Sequence, residues 1–255
     1  MLPYQIQNDS FIELPAIDST NNYALNLIKT QKLTERQTTS LHGTVVFAHE
    51  QLQGKGQRGK KWLSAPGENL LMSLILDTKA IKLHQQFLLS AFIATKTRQF
   101  VEKLIEKETL IKWPNDIYIQ DKKAGGILIE NILSGPNWKW AVAGIGLNIN
   151  QLQFDSSAPR AVSLKLITGK PYDCIALATK LSELIISNFE KMTANSEALI
   201  SEYNQYLFRR GQQVKFKKKN RLFGAQVMGV NANGNLIVNH STQELFSFGE
   251  IEWIL

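Results

Sequence analysis

The stretch Gly54-Lys55-Gly56-Gln57-Arg58-Gly59-Lys60-Lys61-Trp62 satisfies two phosphate-binding patterns at once, G-x-G-x-x-G and most of G-x-x-x-x-G-K. Both patterns rest a phosphate on the N-terminus of a helix that begins where the loop ends. Here Pro66-Gly67 follows, and then Asn69–Asp77 (NLLMSLILD), which reads as a buried strand. Lys61 also stands where the second pattern needs a Ser or Thr for magnesium. A glycine loop between two strands therefore excludes both nucleotide-binding folds. It leaves a cationic segment whose glycines let backbone N–H groups approach an anion closely.

On the N-terminal side, Thr44–Ala48 (TVVFA) has the pattern of a short buried strand, and Ser19-Thr20 caps a helical stretch through Asn22–Ile28. On the C-terminal side, Phe87, Leu88, Ala91, Phe92, Val101, Leu104 and Ile105 keep helical spacing and predict one long helix over Lys82–Lys107. Strand-like runs follow at Thr109–Lys112, Asp116–Gln120, Gly126–Leu133 and Lys139–Ile149, then helices at Cys174–Met192 and Glu197–Leu207. Strands in succession with helices grouped apart predict an α+β domain on a mixed or antiparallel sheet. After Gly211 the pattern changes to Val214–Phe216, Ala225–Val230, Leu236–Val238 and Glu244–Phe248, separated by turns such as Asn233-Gly234. These short strands predict a small β-barrel, with the boundary near Arg210: residues 1–209 form the larger unit and 210–255 the smaller.

At 255 residues, 44% hydrophobic and 20% charged, the chain is long and apolar enough for a substantial core. Its single cysteine, Cys174, excludes an intramolecular disulfide framework and any multi-cysteine zinc site. Lys and Arg total 29 against 22 Asp and Glu, a net +7 that suits an anionic ligand or a nucleic acid without choosing between them. Seven basic residues and no acidic one lie between Arg209 and Arg221. Aromatics are too sparse there for base stacking, so this run reads as a solvated strand and turn. The N-terminus lacks a basic and apolar leader, and no stretch approaches the roughly 18 apolar residues of a membrane span, so a soluble cytoplasmic protein is expected. His42, His49, His84 and His240 form neither a metal spacing nor a triad.

Three further segments carry chemistry. Lys112-Trp113-Pro114-Asn115-Asp116 fixes its backbone with proline and ends on a hard oxygen ligand suited to magnesium on a nucleotide. Lys122-Lys123-Ala124-Gly125-Gly126 brings a lysine beside close-packed backbone, and Ala143-Gly144-Ile145-Gly146-Leu147-Asn148 ends a buried strand on an amide. Each segment alone is compatible with an ordinary turn or strand end.

Taken in order, Asp18-Ser19-Thr20-Asn21, Gln51 leading into Gly54–Lys61, Lys60-Lys61-Trp62, Lys112–Asp116, Lys123–Glu130 and Gly144–Asn148 resemble the biotin–protein ligase family, also called biotin–[acetyl-CoA-carboxylase] ligase. The resemblance runs from about residue 17 to 165. It implies a class II aminoacyl-tRNA-synthetase-like biotin/lipoate ligase fold with a small C-terminal SH3-like barrel. It also implies a two-step reaction: ATP activates biotin as biotinyl-5′-adenylate, and the acyl group passes to a lysine of a biotin carboxyl carrier protein domain. By position, Ser19, Thr20, Asn21, Gln51, Lys55, Gly56, Gln57 and Gly126 fall among the biotin-contacting residues, with Lys123 bridging biotin's carboxylate and the α-phosphate. Arg58, Lys60, Trp62, Asn115, Asp116 and Asn148 fall on the ATP side. Trp62 would stack on adenine, Asn148 would read the nucleotide, and Asp116 would serve Mg2+. Lys123, Lys112 and Arg58 are the catalytic candidates.

Two departures concern the loop, which in the family is commonly Gly-Arg-Gly-Arg-x-Gly: Lys55 and Gln57 replace the two arginines, so the adenylate should be held less tightly. Some family members carry an N-terminal winged helix-turn-helix. Only 16 residues precede Ile17, so no specific DNA binding is expected. Homodimers are common in the family, and the sequence leaves the oligomeric state open. A lipoate–protein ligase would share the fold but should show Arg-Arg-x-x-Gly-Gly, which is not found; a non-catalytic sensor or nucleic-acid-binding protein would have no need of Asp116 beside Lys123.

Overall fold

The computed structural model describes residues 5–8, 10–31 and 41–255. Eight strands form the main sheet: β1 (Gln5–Asn8), β2 (Phe11–Leu14), β3 (Val45–Ala48), β4 (Asn69–Asp77), β5 (Thr109–Lys112), β6 (Asp116–Ile119), β7 (Lys122–Ser134) and β8 (Asn137–Asn148). Their order is β1-β2-β3-β4-β8-β7-β6-β5. The β2–β3 pair is parallel and the other pairs are antiparallel, so the sheet is mixed.

Among the described residues there are five α-helices, of which α1 (Thr20–Gln31), α2 (Gln86–Ile105) and α4 (Cys174–Phe189) pack on the sheet, while α3 (Leu164–Thr168) and α5 (Ser196–Gln205) pack against α2. Side chains alternate across a strand, and β3 shows the consequence. Val45 and Phe47 join the large core with α2 and α4, whereas Val46 and Ala48 meet Ala24 and Ile28 of α1 on the opposite face. With helices on both faces, β4 is buried almost throughout, which explains its unbroken apolar run. One polar residue interrupts that run. Ser73, fully buried, faces the α1 side together with Ile75. Asp173 caps α4, accepting from the Ile175 and Ala176 N–H groups at 2.9 and 3.0 Å, a contact whose loss costs about 1 kcal/mol.

A second, antiparallel sheet contains β9 (Gln213–Lys218), β10 (Arg221–Val230), β11 (Leu236–His240), β12 (Thr242–Phe246) and β13 (Glu252–Ile254), in the order β12-β11-β10-β9-β13. Phe216, Phe223, Phe246 and Trp253 pack their rings together at its centre. Its core is continuous with that of the main sheet. Asn204 of α5 clasps Val230, donating to its carbonyl at 2.9 Å and accepting from its N–H at 2.7 Å. The α+β architecture with helices apart from the strands is as expected.

Several boundaries differ from those expected. The long helix begins at Gln86, because Leu83–Gln85 forms a 3-10 turn. Strands β1, β2 and β13 and helix α3 were not expected from the sequence. Strand β12 ends at Phe246, leaving Ser247–Glu250 as a connection to β13. Among the described residues, no helix is long and apolar enough to cross a membrane.

Candidate active site

One cleft of about 680 Å3 runs along the β7–β8 glycines and contains nearly every residue singled out in the sequence. At one end is a neutral polar pocket at the start of α1. Ser19, Thr20 and Asn21 are all buried there. Gln51 accepts from the Thr20 N–H at 2.8 Å through Oε1. Ser73 Oγ lies 2.7 Å from Thr20 Oγ1 and 2.6 Å from Asn21 Oδ1. Asn21 Nδ2 donates to Glu130 Oε2 at 2.7 Å. Neither Ser73 nor Glu130 was a predicted site residue; a lone serine in an apolar strand was the available signal for the first. Gly144 makes room for this arrangement, since a Cβ there would lie 2.3 Å from Asn21 Oδ1.

The glycine segment folds back on itself as a small hairpin. Trp62 N–H donates to Gly54 O at 2.9 Å and Gly56 N–H to Lys60 O at 2.7 Å. Its tip turns through Arg58 and Gly59, both at positive φ (56° and 74°). A strand, β4, follows, so neither helix-dependent phosphate motif is formed. Trp62 returns across the cleft floor: a Cβ on Gly146 would lie 2.8 Å from its indole, and Lys123 Nζ sits 5.6 Å from the ring centroid. Trp62 Nε1 and Gln57 Oε1 are buried without a hydrogen-bond partner among the described residues. Such groups are costly to bury unless a ligand satisfies them.

The far end is cationic. Lys123 Nζ lies 2.6 Å from Asp116 Oδ1. Lys123's backbone is clamped by Arg160 and Val162: its N–H donates to Arg160 O at 2.6 Å, and its carbonyl accepts from Val162 N–H at 2.9 Å. Lys112 stands opposite Asp116 across the β5–β6 turn. Burial lowers the Lys112 pKa; Asp116 opposes that shift, and the charges of Lys123 and Lys60 add to it. The intervening turn, with a cis Trp113–Pro114 bond, is tied down at three points. Tyr203 donates to Pro114 O at 2.9 Å, Trp113 Nε1 donates to Gly234 O at 2.9 Å, and Asn115 Nδ2 donates to Ile127 O.

The connection from β12 to β13, with the start of β13, supplies a wall that the sequence did not announce. Phe248, Gly249, Ile251, Glu252 and Trp253 line the cleft. Arg58 reaches across to donate to Gly249 O at 3.0 Å. Lys112 Nζ lies 5.4 Å from the Trp253 ring centroid. The cleft thus holds six cations (Lys55, Arg58, Lys60, Lys61, Lys112, Lys123) against two carboxylates (Asp116, Glu252). The Arg209–Arg221 run contributes none of them. Asn148 also differs from its expected place. It is buried outside the lining, and its amide donates to Lys123 O at 3.4 Å and Val162 O at 3.2 Å, so it braces the Lys123 backbone.

Comparison with known proteins identifies the family. The Bifunctional ligase/repressor BirA of Escherichia coli is 36% identical over 150 residues, covering 57% of this chain and 42% of that protein. BirA of Bacillus spizizenii is 30% identical over 210 residues, covering 79% and 62%. The chain therefore spans between two fifths and two thirds of the length of these relatives. A solved biotin protein ligase from Aquifex aeolicus, in complex with biotin and ATP, superposes with a TM-score of 0.77 at 26% identity, covering 97% of this chain and 99% of that one. The model of the biotin/lipoate A/B protein ligase family matches residues 14–149, more than half of the chain, and this protein belongs to that family.

Proposed function

We propose that this protein is a biotin protein ligase. In the first step an oxygen of biotin's carboxylate attacks the α-phosphorus of ATP. Pyrophosphate leaves and biotinyl-5′-adenylate remains. In the second, the ε-amine of a lysine on a biotin carboxyl carrier protein domain attacks the acyl carbon and AMP leaves. The observation that carries the reading is that one cleft holds both the neutral pocket of Ser19, Thr20 and Asn21 and, at its cationic end, Lys123 Nζ paired with Asp116 at 2.6 Å. The solved Aquifex relative holds biotin and ATP, which supports both substrates.

The neutral pocket suits a ureido ring, whose N–H and C=O groups need partners once buried; Ser19, Thr20, Asn21 and Gln51 are the candidates. Lys55, Gly56, Gln57 and Gly126 close around biotin's carboxylate arm. Joining a carboxylate to a triphosphate brings like charges together, so positive charge and positioning are the main needs. Lys123 bridges the two anions, Arg58, Lys60 and Lys112 offset phosphate charge, Trp62 lies flat for adenine, and Asn115 shapes the phosphate side. Among the described residues no group of three or more His, Cys, Asp or Glu could cage a metal. The single Asp116 carboxylate instead fits Mg2+ brought on the nucleotide and held mainly by phosphates; bound there, it would neutralise phosphate charge. We assign residues 1–209 to the catalytic unit and 210–255 to the smaller one, in a cytoplasmic enzyme.

Biotin-dependent exchange of pyrophosphate into ATP tests the proposal. Exchange with biotin is the expected result. Exchange with lipoate in its place would overturn biotin as the substrate, and exchange with neither would overturn the ligase reading.

A further inference from the structure

We propose that Glu130 is a positioning residue that couples the neutral pocket to the glycine hairpin, acting through Asn21 and Lys55. The contacts stand on geometry alone; their consequence for catalysis rests on the ligase reading above.

Glu130 lies on β7 behind the cleft rather than in its lining. Its two oxygens serve different neighbours. Oε2 accepts from Asn21 Nδ2 at 2.7 Å, and Oε1 lies 3.6 Å from Lys55 Nζ. Lys55 also donates to Asn22 Oδ1 at 2.5 Å, and Asn22 Nδ2 donates to Asp18 Oδ2 at 2.5 Å. The hairpin root joins the same region, since Leu52 and Gln53 N–H groups donate to Ile17 and Asp18 carbonyls at 2.8 Å each. A closed ring of contacts therefore links the start of α1, strand β7 and the hairpin. Its one carboxylate on β7 is shared between a pocket residue and a hairpin residue.

Two consequences follow from charge. The Lys55 and Glu130 side chains are 39% and 30% exposed, so their attraction is screened and modest by itself. It acts on a hairpin whose Lys55, Arg58, Gly59 and Lys60 are exposed, and a modest bias shifts any opening equilibrium of such a segment measurably. Any shift of Asn21 on binding a ligand also displaces the carboxylate that Lys55 faces. Glu130 thus transmits occupancy of the pocket to closure of the hairpin without touching substrate.

Hydrogen exchange of residues 52–62 in the ligand-free protein reads the latch directly, and release of enzyme-made biotinyl-adenylate reads its consequence. Glu130→Gln keeps an acceptor for Asn21 but removes the charge opposite Lys55; Lys55→Met removes the other partner. Each should speed exchange about twofold to fivefold and raise adenylate release in proportion. The double variant should go no further than the larger single change. Glu130→Ala should additionally raise KM for biotin, because Asn21 loses its partner. Unchanged exchange in a folded Glu130→Gln protein, or additive effects in the double variant, would overturn the coupling. Failure of the parent to make adenylate would instead refute the ligase reading while leaving the exchange comparison decisive for the latch.

Discussion

Replacing Gly144 with alanine tests the pocket most directly, because the space it fills is already taken. The new Cβ would lie 2.3 Å from Asn21 Oδ1, 3.0 Å from its Cγ and 3.2 Å from its Nδ2. Ordinary contact needs the amide to retreat by about 1 Å. Strand β8 cannot yield in its place, since Gly144 is paired on both sides, with Ser73 of β4 and Leu128 of β7. Asn21 must therefore leave Ser73 Oγ at 2.6 Å, Glu130 Oε2 at 2.7 Å, or both. One buried polar group left without its partner costs about 1–3 kcal/mol, which for a chain of this size lowers Tm by about 2–4 °C per kcal/mol.

The displaced amide also enters the volume assigned to the ureido ring. KM for biotin in the pyrophosphate exchange assay should rise at least about tenfold, the equivalent of 1.4 kcal/mol, while KM for ATP changes little. Ser73→Ala is the control: it deletes one hydroxyl and leaves Asn21 its space, so its effect should be smaller than that of Gly144→Ala. A folded Gly144→Ala enzyme with KM for biotin within twofold of the parent would refute this placement of the pocket. Equal increases in both KM values would refute its separation from the nucleotide side.

Three other outcomes are expected. Lys123→Gln should slow single-turnover adenylate formation at least about tenfold, because a charge-assisted contact worth about 1.5–3 kcal/mol is lost; near-normal formation would remove Lys123 from its role. Gln57→Arg should slow release of free biotinyl-adenylate in the absence of acceptor by placing a fork-shaped cation where Gln57 Oε1 now lies buried with no partner among the described residues; an unchanged release rate would show that Arg58 and Lys60 already suffice. Lys112 titrates below its ordinary 10.5 because burial disfavours its charged form. That form destabilises the ligand-free fold below the lowered pKa, and the cost disappears as pH rises from there towards 10.5. Lys112→Met should accordingly raise Tm at neutral pH while lowering activity. In the parent, kcat/KM for ATP should fall on the alkaline side below pH 10.5, and Lys112→Arg should move that limb upward; an unshifted limb would show that another group titrates.

The elements that were legible in the sequence are those whose burial is one-dimensional. Strand β4 reads as an apolar run because both its faces are covered, and β5 begins and ends where its pattern does. Strands β2 and β13, with four and three residues, earn their places by pairing with distant partners, which leaves no local signature. The same division holds in the cleft. Glycines and lysines at short spacing marked the Gly54–Lys61 loop and Lys123, and Pro114 with Asp116 marked the Lys112–Asp116 segment; that the loop closes as a hairpin was not legible. Ser73 and Glu130 contact Asn21 only once β4 and β7 are laid beside α1; in the chain Ser73 shows only as a lone serine in an apolar run and Glu130 only as the end of the Lys123–Glu130 segment. Asn148 was visible as a polar residue ending a strand, but where its amide points depends on the Lys123 and Val162 carbonyls brought to it by folding.

Net charge separates in the same way. The Arg209–Arg221 cations lie outside the cleft: Arg209 pairs with Asp121 at 2.6 Å, Arg210 donates to the Met228 and Asn204 carbonyls at 3.2 Å each, and Lys215 and Lys217 point outward from β9. The small sheet acts on the site through its apolar residues instead. Trp253 and Phe248 line the cleft, and Lys112 Nζ faces the Trp253 ring. Removing water there strengthens the attraction of Lys112 and Lys123 for an arriving anion. The same exclusion lowers the Lys112 pKa in the ligand-free protein. A lysine made uncomfortable by its own fold gains most when an anion arrives, and the small sheet, contributing no cation of its own to the cleft, makes the cations of the larger one effective.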